Sequence, residues 1–169
     1  MSTPSPHTAT VPTPVGPLTI VAAGDTVLAA GWTDDPDALV ALIAPALRPD
    51  GLRRSPHLGA ITDAVAAYVE GDLGAVDRVP VHQRSGPFLE EAWTVLRTVP
   101  AGAPVTYAEL AAKAGRPDAV RAAASACARN AAALFVPCHR VVRTGGGLGG
   151  FRWGLDVKRW LLAHEGAPV

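Results

Sequence analysis

Cysteine is scarce in this chain: its 169 residues hold two, Cys127 and Cys138, too few for a disulfide framework or a cysteine-rich zinc site. So low a count agrees with a reducing compartment. Long apolar runs are missing too, and no stretch reaches the ~20 residues of a membrane-spanning helix. Residues 1–14 are rich in Ser, Thr and Pro and lack the basic patch and apolar run of an export signal. They read as a flexible tail on a cytoplasmic chain with no membrane partner. The glycine-rich stretch 144–150 lacks the Gly-Lys-Ser/Thr ending of a P-loop and sits in no βαβ unit, so a phosphate cradle is not expected there. Net charge is zero as well, which would argue against a polyanionic partner if the charge were spread evenly.

It is not spread evenly. Residues 1–104 carry six Arg against eleven Asp and Glu, a balance of −5, whereas residues 105–169 carry nine Lys and Arg against four acids, a balance of +5. A basic second half points to a polyanion meeting that half. Hydrophobic residues make up 49% of the chain, enough to core one domain or two small ones.

In the first half, residues 17–22 and Thr26–Gly31 are β-rich runs separated by Gly24-Asp25, a hairpin pattern. Asp35-Pro36 supplies an N-cap and an N1 proline for a helix to about Leu47. A second helix is expected over 56–70, where Leu58, Ile61, Val65 and Tyr68 recur at helical spacing, and a short strand over 78–83. The pattern changes at 83–87. Phe88, Ala92, Val95, Leu96 and Val99 form an apolar stripe, with Trp93 expected in the core. Thr106 and Glu109 form a capping box whose helix stops at Gly115, and Pro117 starts another helix to Arg129. The pair suggests a helix-turn-helix.

That second helix is mostly alanine, with Arg121 as the long polar residue of its interior, so it can read almost no sequence in a major groove. Small side chains would let its backbone approach a minor groove about 6 Å wide, although tight helix packing explains alanine equally well. Arg121 suits an ordinary phosphate or salt-bridge contact, and also stacking into the gap left by an extruded base. Downstream, the apolar run 132–136 reads as a buried extended segment stopped by Pro137, which presents the Cys138 thiol beside the His139 imidazole. A small core cysteine fits that dipeptide too. Asn130 suits either a brace holding Cys138 to the preceding helix or a turn. The last helix carries Val157, Trp160, Leu161 and His164 on one side and ends at Glu165-Gly166. A carboxylate there opposes the helix dipole by up to about 1 kcal/mol, which suggests a histidine partner.

Pro137-Cys138-His139-Arg140-Val141, preceded by Tyr107, Arg121 and Asn130, is followed by Gly149-Gly150-Phe151-Arg152-Trp153-Gly154 and by Leu161-Leu162-Ala163-His164-Glu165-Gly166. This ordered set resembles the O6-alkylguanine-DNA alkyltransferase family, strongly over 88–166 and more weakly at 13–19. The resemblance implies an α/β N-terminal ribonuclease-H-like domain over 15–86. It implies a mainly α C-terminal domain over 87–169, with a winged-helix-like helix-turn-helix, that binds DNA and accepts the alkyl group. By the same resemblance Cys138 takes the alkyl group of a flipped O6-alkylguanine, with O4-alkylthymine a second candidate substrate. His139 draws the thiol proton through a water and is oriented by Glu165; Asn130 belongs to the same catalytic set, and Tyr107 donates a proton to the base. Val141, Gly149, Phe151 and Arg152 line the substrate pocket. Thr106, Tyr107, Arg121, Ala122, Ser125 and Arg129 contact double-stranded DNA from the minor groove with little sequence preference, Arg121 filling the vacated stack.

A thioether does not hydrolyse, so the reaction is expected once per molecule, by a monomer, with no cofactor and no metal. Three stretches depart from the family pattern: Phe151 stands for a usual Tyr, Arg129-Asn130-Ala131 for Gly-Asn-Pro, and Ala124 and Ser125 for small glycines. The main rival is an alkyltransferase-like damage-binding protein, disfavoured because that class replaces the reactive cysteine. A helix-turn-helix regulator is disfavoured by the alanine-rich helix. A cysteine hydrolase would need an oxyanion hole that the sequence does not locate.

Overall fold

A computed structural model describes residues 6–168 and divides them into two units, residues 6–84 with Ala131–Phe135, and Ser85–Asn130 with the residues from Val136 onward. In the first unit β1 (Pro6–Thr13), β2 (Gly16–Ala23) and β3 (Thr26–Gly31) form an antiparallel meander, and β4 (Arg53–Arg54) adds to β1 in parallel, giving the order β3-β2-β1-β4. The hairpin at Gly24-Asp25 forms as expected, with Gly24 at φ 63. Leu18 to Ala22 of the central strand β2 are all buried, which explains its continuous apolar run. Helix α1 (Pro36–Val40) packs on β2 and β3, and α2 (Ala60–Val69) reaches β1.

The expected loose tail is corrected from residue 6 onward; residues 1–5 lie outside the described residues. The run His7 to Thr10 pairs with Thr19 to Ala22, and Thr8 and Ala9 are buried. β-branched threonine favours a strand whatever its company of prolines, and Pro12 lies where β4 no longer needs an N–H. Three further boundaries shift. Asp35 caps α1 as expected, through Asp37 N–H at 3.0 Å, but the helix ends at Val40 and a separate 3-10 turn begins at Pro45, which cannot continue an α-helix. α2 starts at Ala60 because Gly59 is at φ 57, ψ −125. Residues 78–83 form no ladder strand beyond a single bridge, Val27 to Val81, since Pro80 has no N–H to donate.

Residues 131–135 contribute to the first unit. Ala30 N–H donates to Ala131 O at 2.8 Å, Ala133 N–H donates to Ala30 O at 3.0 Å, and Gln83 Oε1 accepts from Ala131 N–H at 2.9 Å. The run is buried as expected but not extended throughout: it turns at Leu134, at φ 73.

The second unit holds α3 (Pro87–Leu96), β5 (Val105–Thr106), α4 (Tyr107–Lys113), α5 (Val120–Ala128), β6 (Val141–Val142) and α6 (Leu155–His164). Trp93 is buried and donates Nε1–H to Ala126 O at 2.8 Å, tying α3 to α5. The capping box of α4 is present in both directions, at 3.0 and 3.1 Å. α5 begins at Val120 rather than Pro117: Ala119 N–H closes a turn on Arg116 O, and Ala119 itself is non-helical. β5 and β6 pair in parallel. Among the described residues no helix is long and apolar enough to cross a membrane.

Candidate active site

Cys138 starts a 3-10 turn directly after Pro137, and the Asn130 side chain holds it there. Asn130 Nδ2 donates to Val136 O at 2.8 Å and to Cys138 Sγ at 3.2 Å, so one buried amide fixes both the approach to the thiol and the thiol itself. Burial pushes the Cys138 thiol up, and the Asn130 hydrogen bond and the Lys158 charge pull against it. The resting group is the thiol, and a base is needed to make it a nucleophile.

The next two residues share one carboxylate. Glu165 Oε2 lies 2.8 Å from His139 Nε2, and Arg140 donates Nε–H to Oε1 and Nη2–H to Oε2, each at 2.9 Å. Arg140 Nη1 donates to Val99 O at 2.7 Å. Burial pushes Glu165 up, but the hydrogen bonds and charges of His139 and Arg140 more than reverse this and hold it at about 2. Burial pushes the fully buried His139 down, against the pull of Glu165. An ionised Glu165 has no proton to give, so the shared hydrogen sits on Nε2 and Nδ1 keeps a free lone pair. Nδ1 is buried with no hydrogen-bond partner among the described residues.

Lys158 is the site residue that the sequence hid. Its stripe on α6 is Val157, Lys158, Leu161 and Leu162, all buried, whereas Trp160 and His164, expected on that side, are half-buried and stack on each other at 4.5 Å. Lys158 Nζ donates to Val141 O at 2.7 Å, Leu148 O at 2.5 Å and Gly150 O at 3.2 Å. A buried ammonium with all three hydrogens on carbonyls pins the glycine-rich loop to the end of the Cys138 segment. Gly149 in that loop is at φ 74, and a Cβ there would sit 2.7 Å from the Tyr107 hydroxyl. Tyr107 can pack against the loop because position 149 has no side chain. Burial pushes the Tyr107 phenol up.

Some of these groups border a cavity of about 710 Å³. Cys138, Asn130 and Tyr107 of the expected catalytic set line it, together with Gly149, Phe151, Arg152 and Arg121. His139 and Glu165 are buried and joined to each other as expected. Arg152 is held by Ala128 O at 2.8 Å. Val141 is corrected: its side chain is fully buried and is not part of the wall, and it contributes its carbonyl to Lys158. Thr106, Ala122, Ser125 and Arg129 also lie off the wall, Arg129 exposed and the other three half-buried, and the Thr106 hydroxyl is occupied by Glu109 N–H. Cys127, Arg143 and Trp153 line the cavity without having been expected there. The signal for Cys127 was its place about two turns after Val120 on the helix that also carries Arg121 and Ala124 into the wall.

A family profile described as 6-O-methylguanine DNA methyltransferase, DNA binding domain, matches residues 87–167. Over 159 residues the chain is 35% identical to the methylated-DNA–protein-cysteine methyltransferase of Shigella flexneri, covering 92% of this chain and 93% of that one. Among solved structures it is similar to the Mycobacterium tuberculosis O6-methylguanine methyltransferase, with TM-score 0.77 and 30% identity over 97% of this chain and 96% of that one. The M. tuberculosis protein in complex with DNA gives TM-score 0.78 at 29% identity, covering 96% of each chain.

Proposed function

The chain belongs to the methylated-DNA–protein-cysteine methyltransferases, which repair DNA by direct reversal, and we propose that it moves the alkyl group of O6-alkylguanine in double-stranded DNA irreversibly onto Cys138. The observation that carries this assignment of the acceptor is Cys138 Sγ held at 3.2 Å by Asn130 in the wall of the 710 Å³ cavity, next in the chain to a buried His139–Glu165 pair.

In the transfer, Cys138 Sγ attacks the alkyl carbon, a carbon–sulfur bond forms and the carbon–O6 bond breaks. The thiol proton passes through a water to His139 Nδ1, the free lone pair of the neutral imidazole. Negative charge left on the guanine takes a proton from the Tyr107 hydroxyl, which shares the cavity with Cys138. The thioether stays, so each molecule acts once; O4-alkylthymine is a second candidate substrate.

For docking, α5 enters the minor groove with little sequence preference. Ala122 allows close approach, Arg121 fills the stack, and Ser125, Arg129 and Thr106 meet phosphates. α5 has no side-chain cap on its first turn, which leaves its amides to an anion, whereas Glu109 already occupies the start of α4. The strand order β3-β2-β1-β4 supports a ribonuclease-H-like first domain, and α4–α5 with the β5–β6 pair supports a winged-helix-like second domain that carries DNA binding and alkyl acceptance. The exposed large apolar side chains among the described residues are Val120 and Leu155, which suits a cytoplasmic monomer.

The test is mass spectrometry after incubation with a duplex containing O6-methylguanine. One methyl group per molecule on the Cys138 peptide is the expected result. Unmodified protein that binds the damaged duplex tightly would make the chain a damage-binding protein instead.

A further inference from the structure

β5 and β6 run parallel with Thr106 opposite Val142, so Tyr107 and Arg143 are the next residues off the two strands, leaving the pair at the same end. Paired strands lie ~4.8 Å apart, and both side chains line the one cavity. The glycine-rich loop packs on each of them. Arg143 N–H donates to Gly147 O at 2.8 Å and Gly146 N–H donates to Arg143 O at 3.2 Å. A Cβ at Gly147 would lie 3.4 Å from Arg143 Cδ, just as one at Gly149 would lie 2.7 Å from the Tyr107 hydroxyl. The Arg143 guanidinium has no hydrogen bond or ion pair among the described residues, so its charge is not neutralised by a carboxylate.

We propose that Arg143 is a positioning residue for alkyl transfer that acts through Tyr107, its guanidinium stabilising the phenolate formed when Tyr107 protonates the departing guanine. This rests on Tyr107 being the proton donor. The Tyr107 O–H bond breaks as the guanine anion takes the proton, and the negative charge moves onto the phenol oxygen beside Arg143; solvent later returns a proton. Burial pushes the Tyr107 phenol up, and the Arg143 charge pulls it down, in the direction that eases proton release. A guanidinium in the cavity wall has one obvious competing use, a phosphate of the bound strand.

The rate of Cys138 alkylation separates the two uses, measured for Arg143→Ala, Arg143→Lys, Tyr107→Phe and the Tyr107→Phe/Arg143→Ala double variant. Two substrates are compared: duplex O6-methylguanine and a free O6-alkylguanine base, which carries no phosphate. Arg143→Ala is expected to slow both substrates by about tenfold, Arg143→Lys to restore part of the rate, and the double variant to be no slower than Tyr107→Phe. A loss confined to the duplex, or one that persists at full size in the Tyr107→Phe background, overturns the proposal and makes Arg143 a phosphate contact. A Tyr107→Phe variant as fast as wild type overturns it differently, by removing the donor role on which it rests.

Discussion

Glu165 Oε2 lies 2.8 Å from His139 Nε2 while the same carboxylate is gripped at two points by Arg140, the next residue after His139. A lone carboxylate beside a buried imidazole would favour the imidazolium. Arg140 supplies the positive charge instead, so Glu165 stays ionised and His139 stays neutral, with its acceptor nitrogen free for a proton. The sequence carries a hint of this in a carboxylate placed at the wrong end of a helix, but not in Arg140, whose neighbours are decided by packing.

Acid should weaken the fold through this pair. His139 and Glu165 both have folded values below their ordinary ones, 6.5 and 4.5, so the unfolded chain takes up protons more readily. The stability they contribute is complete above about pH 6.5, falls as the unfolded histidine protonates, and is lost further between 4.5 and about 2 as Glu165 protonates. The Glu165 part is on the order of 3 kcal/mol. Melting temperature against pH, compared with Glu165→Gln, reads it: the variant should melt lower at pH 7 and show a flatter acid limb. Parallel curves for the two proteins would rule the linkage out.

Asn130→Ala should slow alkylation and cost stability together. The substitution strands the buried Val136 carbonyl, at about 1–3 kcal/mol, and removes the hydrogen bond that holds the thiol down against burial. Asn130→Asp should be slower still at neutral pH, because a carboxylate replaces a donor beside the developing thiolate. Thiol titration with an alkylating reagent would show the Cys138 value rising in both; an unchanged titration with an unchanged rate would leave Asn130 as a turn residue.

What the sequence made legible was local. The hairpin at Gly24-Asp25, the Asp35 cap and the Thr106–Glu109 box each depend on a few neighbouring residues, and each formed. The partner for Glu165 was legible because the helix dipole made its position costly. Long-range outcomes were not. An apolar run gives no sign that Leu134 sits at φ 73, a conformation L residues rarely take, or that residues 131–135 pair with Ala30. Nothing in the sequence singles out Lys158, because the three carbonyls that satisfy it come from 141, 148 and 150 and converge only on folding.

Arg121→Ala should separate duplex repair from chemistry. Arg121 is exposed in the first turn of α5 and in the cavity wall, and it is not among the partners of Cys138, His139 or Glu165. Repair of a duplex should drop by at least about tenfold, since an unfilled stack costs a few kcal/mol, while alkylation by a free O6-alkylguanine base stays near the wild-type rate. Equal losses on the two substrates would remove the stack-filling role.

Lys158→Met should loosen one wall of the site and make the thiol less acidic. The methionine matches the length and apolar stem of lysine but leaves the carbonyls of Val141, Leu148 and Gly150 without their donor. Burying such groups unpaired costs about 1–3 kcal/mol each unless the loop opens to water, so the loop is expected to open. Hydrogen exchange at residues 148–150 should then accelerate, and the Cys138 rate should need a higher pH, because the Lys158 charge that favours the thiolate is gone. Lys158→Arg should return part of the thiol's acidity, because the charge is back, but not the loop's protection: a planar guanidinium is bulkier than the ammonium and cannot send three hydrogens to carbonyls converging on one point. Full rescue by arginine would mean that charge alone, rather than the tripod of hydrogen bonds, is what the site requires.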